Sequence, residues 1–251
     1  MLHFTNVGSG PAVTFLHGFT QTGHTWLPVL EKLGIDVEAT LIDAPGHGDN
    51  IDGKQSLNES AAEIARMMPK GVLIGYSMGA RLALHVALSS PEKVKKLVLI
   101  SGTAGMESET ERTARRTSDA LLASRIVEIG VPAFIDEWLA LPMFAGLTAA
   151  IANIPERLRN TAQGLADSLV HAGTGTQIPM WESLVNLEMP VLLLAGEQDE
   201  KFTAQATRMN GLIPNSELHI VANAGHTVHL EQPDVFASIV RDFITSGDGE
   251  K

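Results

Sequence analysis

The sequence predicts an α/β fold: a mainly parallel sheet flanked by helices, with an all-helical segment inserted between two of its strands. Three observations carry this. Short apolar runs alternate with segments of helical spacing, first from residue 12 to residue 100 and again from 190 to 244, which is the rhythm of βαβ crossovers in a parallel sheet. Between those blocks, from Ala104 to about Leu187, only helical patterning is found. At the centre lies Gly75-Tyr76-Ser77-Met78-Gly79, a G-x-S-x-G pentapeptide between an apolar run and a helical one. That pattern in that context is a nucleophile elbow.

Taken in order, Leu2 to Val7 is a weak strand closed by the turn Gly8-Ser9-Gly10-Pro11, and Ala12 to Leu16 is a stronger one ending at His17-Gly18-Phe19. Trp26 to Leu33 has helical spacing and stops at Gly34. Val37 to Ile42 reads as a strand, followed by the turn-rich Asp43-Ala44-Pro45-Gly46-His47-Gly48-Asp49. Ser56 to Met68 includes a helix, with Asn58 or Ser60 as candidate N-caps. Lys70 to Ile74 is the strand before the elbow, Met78 to Leu88 the helix after it, and Val94 to Ile100 the next strand. The inserted segment has helix stops expected at Pro132, Pro142, Pro155 and Gly164. Strand Pro190 to Gly196, helix Ala204 to Leu212, strand Glu217 to Val221 and helix Pro233 to Ile244 complete the pattern, and a polar tail over 246–251 is expected to fray. Residues 1–103 and 188–251 thus form a core, with 104–187 as a helical cap over the carboxyl ends of the strands, where open α/β sheets bind ligands.

Composition narrows the function. With 251 residues, 44% hydrophobic and 19% charged, the chain is long enough for a sizeable core. A formal net charge of -11 argues against nonspecific binding to nucleic acid or an anionic membrane. There are no cysteines, so disulfides and thiol chemistry are excluded. No cluster has metal-ligand spacing and no phosphate-cradling glycine loop is found, so neither metal nor cofactor is expected. No signal peptide pattern and no apolar run of membrane-spanning length is present, which points to a cytoplasmic protein; a monomer is expected.

A serine nucleophile needs a base, and the base an orienting acid. In elbow enzymes these follow the serine in the order acid, then histidine. Asp199 and His226 each come just after a strand, hence at the sheet edge that carries Ser77. Glu197 and Glu200 compete with Asp199, which could also be a helix N-cap, and His229 competes with His226. Stabilising an oxyanion takes two backbone N–H donors: Met78, after the serine, and Phe19, in the loop after His17-Gly18. His17 and His47 read equally well as structural histidines. Arg81 stands alone in an otherwise apolar helix, four residues after Ser77 and therefore on its face. Its guanidinium either points at the elbow mouth or pairs with a buried acid such as Asp43.

Phe15-Leu16-His17-Gly18-Phe19, Asp43-Ala44-Pro45-Gly46-His47-Gly48 and Gly75-Tyr76-Ser77-Met78-Gly79-Ala80-Arg81 resemble the α/β-hydrolase superfamily. Further stretches narrow this: Glu111-Arg112 with Arg115 and Ser118-Asp119, Trp138-Leu139 with Pro142-Met143-Phe144, Arg159-Asn160 with Gly164, and Gly196 to Phe202. With them the chain resembles, nearly end to end, the pyruvate-eliminating 2-succinyl-6-hydroxy-2,4-cyclohexadiene-1-carboxylate (SHCHC) synthase family of menaquinone biosynthesis. Ala80 departs from the family's Gly-Gly-Arg by one methyl, which narrows the elbow slightly. The resemblance implies an α/β-hydrolase fold and a cofactor-free carbon–oxygen lyase using Ser77, His226 and Asp199 as a general-base triad. It implies further that Arg81, Arg115 and Arg159 hold the carboxylates of a small tricarboxylate, as bidentate guanidinium binding would. Each arginine has a plainer alternative: Arg115 pairing with Glu111, Arg112 or Arg116 facing inward in its place, or Arg159 beside Glu156 in solvent. Tyr76 either donates to the substrate or packs; Trp138 and Phe144 either wall the pocket or fill the cap core. An ester or thioester hydrolase with the same triad, and a non-catalytic ligand receptor on the same fold, are the competing functions.

Overall fold

Seven short strands supply the sheet: β1 (Phe4–Val7), β2 (Ala12–Leu16), β3 (Glu38–Ile42), β4 (Gly71–Tyr76), β5 (Val94–Ile100), β6 (Val191–Gly196) and β7 (Ser216–Val221). In the computed structural model, which describes residues 2–246, they form one sheet in the order β1-β3-β2-β4-β5-β6-β7. β1 runs antiparallel to β3, and every other pair is parallel. β4 and β6 are buried at every residue, which is why they read as unbroken apolar runs: helices cover both of their faces. The register sets Leu16 opposite Gly75, Tyr76 opposite Ile100 and Gly196 opposite Val221. The loops leaving β2, β4, β6 and β7 therefore open at one edge.

The helices are α1 (Leu27–Leu33), α2 (Leu57–Met67), α3 (Met78–Ser89), α4 (Glu109–Leu139), α5 (Ile154–Arg157), α6 (Ala162–Ala172), α7 (Glu200–Asn210), α8 (Val228–Glu231) and α9 (Pro233–Thr245). α2, α3 and α7 pack one face of the sheet, with Ile64, Leu84, Leu193 and Met209 in a shared core. α1 and α9 pack the other, around Trp26, Ile74, Leu194 and Phe236. Between β5 and β6 there is no strand, only α4 to α6 and short 3-10 turns. This segment has its own small core of Ile126, Phe134, Ile135 and Leu165, against which Phe19 of the body packs.

Several local expectations are corrected. α2 is capped by Ser56, not by Asn58 or Ser60: the Ser56 hydroxyl accepts from the Glu59 N–H, and the Glu59 carboxylate accepts from the Ser56 N–H at 2.8 Å. Asn58 and Ser60 lie inside the helix. α7 begins at Glu200 rather than Ala204 because the Asp199 carboxylate caps it through the Phe202 N–H. The expected stops in the cap are instead starts. Pro142 and Pro155 sit in the first turns of a 3-10 turn and of α5, where the missing N–H costs nothing. α4 breaks at Gly130, with φ 76°, and Pro132 opens its second piece. Gly164 sits in the first turn of α6, back to back with Gly46: a Cβ on Gly46 would come within 2.2 Å of the Gly164 carbonyl, and one on Gly164 within 2.6 Å of the Gly46 carbonyl. Of the expected tail, 247–251 lies outside the described residues.

Candidate active site

The elbow is built by close approach. A Cβ on Gly75 would lie 2.3 Å from the Gly79 carbonyl, and one on Gly79 would lie 2.2 Å from the Leu16 carbonyl, so neither position admits a side chain. Ala80 is accommodated because Gly102 faces it without a side chain; a Cβ there would lie 2.7 Å from the Ala80 methyl. Ser77 between them adopts φ 52° and ψ -105°, a conformation that costs a non-glycine residue energy and clusters at active sites. Its N–H is tied to the Ile100 carbonyl at 2.8 Å.

His226 Nε2 lies 2.9 Å from Ser77 Oγ, and His226 Nδ1 lies 2.6 Å from Asp199 Oδ2. The other Asp199 oxygen makes the α7 cap, so the acid and N-cap readings of this residue hold together. Glu197 instead accepts from the Asn223 N–H, and Glu200 enters the first turn of α7. The loop carrying His226 is held on three sides. Ser101 donates to the His226 carbonyl at 2.8 Å, and Glu231 accepts from the N–H groups of both Gly225 and Thr227, each at 2.8 Å. His229 is fully buried 4.6 Å from the Trp26 ring, in stacked geometry. Burial, then Arg157 and His226, push its pKa down to about 3, so it stays neutral behind the site.

The loop after β2 is fixed by the Gly18 N–H on the Gln21 side chain and by Asn160 on the Thr20 carbonyl at 2.7 Å. The N–H groups of Phe19 and Met78 donate to nothing among the described residues. His17 and His47 are structural: His17 Nε2 accepts from the Ala44 N–H, and His47 Nδ1 bonds the Pro45 carbonyl. Burial, then His17, lowers the His47 pKa to about 3.

Ser77 opens into a cavity of about 540 Å³ whose wall includes Phe19, Tyr76, Met78, Arg81, Arg115, Trp138, Arg157 and His226. Arg81 is 7% exposed and donates to the Ala172 carbonyl at 2.9 Å. Asp43, its alternative partner, instead accepts from the Gly23 and Asp49 N–H groups. Arg115 pairs with Asp119 at 2.8 Å, not with Glu111. Arg112 and Arg116 turn to Glu109. Tyr76 bonds Thr227 at 3.0 Å, and the Trp138 indole nitrogen is buried without a partner among the described residues.

Arg159 is elsewhere. It pairs with Glu156 and Asp49, each at 2.8 Å, and does not line the cavity. Arg157, two residues earlier and 2% exposed, takes that wall instead, bonding the Thr20 hydroxyl and the Ala152 carbonyl. Sequence reasoning missed it because Arg157 ends a single-turn helix and Arg159 follows it, too short a stretch for periodicity to choose between them. Lys201, Gln205 and Arg208 also reach the cavity, on α7, which begins four residues before the start its spacing predicts. Burial, then Arg115, lowers Arg81 to about 10, and burial lowers Arg157 to about 10; both remain cations at neutral pH. Neither has a carboxylate at ion-pair distance among the described residues.

A serine elbow, a histidine and an acid on successive sheet loops define the α/β hydrolases, and the alpha/beta hydrolase family model matches residues 15–239. Within that class the chain is 32% identical to the SHCHC synthase of Salmonella typhimurium over 95% of this chain and 97% of that protein. It is 39% identical, over 94% of this chain and 90% of the other, to a Bacillus subtilis protein provisionally named for the same activity. MenH from S. aureus superposes with a TM-score of 0.90 at 30% identity, covering 97% of this chain and 98% of that one. The chain belongs to this family of synthases.

Proposed function

We propose that the protein is a lyase that eliminates pyruvate from 2-succinyl-5-enolpyruvyl-6-hydroxy-3-cyclohexene-1-carboxylate, giving SHCHC in menaquinone biosynthesis. One observation carries the reading beyond family membership. The cavity onto which Ser77 and His226 open also buries two arginines without carboxylate partners, and Arg115, Lys201 and Arg208 share its wall with Glu107 and Glu111. Buried charges of one sign are costly unless something compensates them, and a multiply anionic substrate is that compensation.

In the proposed reaction His226, oriented by Asp199, takes the Ser77 proton, and the Ser77 oxygen removes a proton from ring carbon. The resulting enolate oxygen lies against the N–H groups of Phe19 and Met78. As that oxygen re-forms its carbonyl, a new double bond forms at the deprotonated ring carbon, the existing ring double bond moves one position along, and the ring C–O bond breaks, so that the side chain leaves as the enolate of pyruvate. Protonation of that enolate gives pyruvate. Arg81 and Arg115 are assigned to substrate carboxylates, with Arg157 in the role that the family resemblance implies for Arg159. Trp138 supplies a free indole N–H, and Tyr76 packs beneath the site with its hydroxyl engaged by Thr227. Residues 104–187 act as the cap on a core of 1–103 and 188–251. The reading includes a cytoplasmic monomer, and among the described residues no helix is long and apolar enough to cross a membrane.

The test is to incubate the pure protein with the enolpyruvyl substrate and measure pyruvate. Stoichiometric release with SHCHC formation is expected. Absence of release, with rapid turnover of simple aryl esters, would make the ester hydrolase the better reading.

A further inference from the structure

Asp119 is an acid bonded to a cavity arginine but not itself in the cavity wall, which carries Glu107 and Glu111 as its own acids. It lies on α4, is 4% exposed, and accepts through Oδ1 from Nε of Arg115, one turn earlier, at 2.8 Å. Its Oδ2 is buried and meets no donor among the described residues. Gly173 packs so closely that a Cβ there would lie 2.5 Å from that oxygen, and the preceding residue, Ala172, offers its carbonyl to Arg81. Arg81, Arg115 and Asp119 thus share one corner. Two neighbouring guanidiniums repel; Arg115, itself about a third exposed, lowers the Arg81 pKa, and Asp119 acts in the opposite sense.

We propose that Asp119 is the positioning residue of the carboxylate clamp. By holding Arg115 through Nε it leaves both terminal nitrogens free for the cavity, and its charge keeps Arg81 and Arg115 together until a substrate carboxylate arrives. The inference rests on the clamp reading above. It accounts for an acid that the proposed chemistry does not use, and for a carboxylate bonded through one oxygen only. Asp119 acts through its neighbours and touches no reacting atom.

Steady-state pyruvate release and product inhibition by SHCHC test this in the full-length protein. Asp119→Ala is expected to raise KM about tenfold with kcat within about threefold, because binding rather than chemistry is disturbed. Combined with Arg115→Ala it should be no worse than Arg115→Ala alone, since the two residues act as one unit. Asp119→Asn keeps an acceptor for Arg115 but removes the charge, so SHCHC should inhibit it more tightly, by about threefold, with a steeper salt dependence. Should Asp119→Ala fail to fold, the asparagine variant carries the test alone. Multiplying losses in the double variant, SHCHC inhibition of Asp119→Asn no tighter than that of the unmodified protein, or a lowered melting temperature with KM intact would overturn the proposal. If Arg115→Ala itself leaves KM at its original value, the clamp reading fails; if it raises KM and the Asp119 variants do not, only this inference fails.

Discussion

Around Ser77 the polar groups are already matched. Asp199 holds His226, His226 holds Ser77, and the loop beneath is fastened by Ser101 and Glu231. In the same cavity wall Arg81 and Arg157 are buried with backbone carbonyls and a hydroxyl as their partners. The half around Ser77 is finished within the protein itself, whereas the half around Arg81 and Arg157 leaves those two arginines without a carboxylate at ion-pair distance among the described residues. On the proposed function the contrast teaches how one fold changes substrate: a triad preorganised by hydrogen bonds can be kept while the arginines around it set what is admitted.

The largest effect should come from breaking the finished half. Ser77→Ala should fold normally and lose pyruvate release by on the order of 10⁴ or more. His226→Ala should match it, and the double variant should be no worse, since both act as one unit. His229→Ala should lose far less. A ranking with His229 above His226 in kcat would move the base one helical turn along the chain.

Neutralising the unfinished half should cost less, and in KM more than in kcat. Arg81→Ala, Arg115→Ala and Arg157→Ala should each lose at least about tenfold in kcat/KM on the anionic substrate, for want of one charge-assisted contact. Losses on a small neutral aryl ester should be much smaller. Arg159→Ala, whose partners are Glu156 and Asp49, should lose little on either substrate. Equal losses on both substrates would break the distinction between the two halves.

How much of this could be read from residues alone follows the same division. The elbow, the triad order and Arg81 were legible because each depends on local spacing: G-x-S-x-G, acids and histidines just past strands, and one cation four residues along an apolar helix. Arg157 was not legible, because its inward placement at the end of a one-turn helix is held by Thr20, 137 positions away in the chain. The helix breaks of the cap were misread for a related reason. A proline marks a boundary by its missing N–H, but the local sequence does not say whether a helix ends or begins there.

The smallest effect is on stability. His47 and His229 are buried with pKa values held near 3, and His85 near 4, by burial first. Their folded values lie below the ordinary 6.5, so the unfolded chain binds more protons, and stability falls as pH drops from about 6.5 towards 3. Each contributes at most about 1.4 kcal/mol per pH unit. Thermal melts between pH 7.5 and 5 should show a declining midpoint, with a shallower slope in His229→Phe, which keeps the ring contact with Trp26 and removes one titrating group. An unaltered slope would show that His229 already titrates normally.

The back-to-back glycines at 46 and 164 have a consequence for how such a protein can vary. Most packed contacts drift by exchange, a larger side chain on one partner answered by a smaller one on the other. Here each prospective Cβ would strike the carbonyl of the other residue, so there is no side chain left to shrink and no second change that could rescue the first. The exposed face of α4 is free to diverge, while this seam, where body and insertion meet as bare backbone, must pass from ancestor to descendant intact.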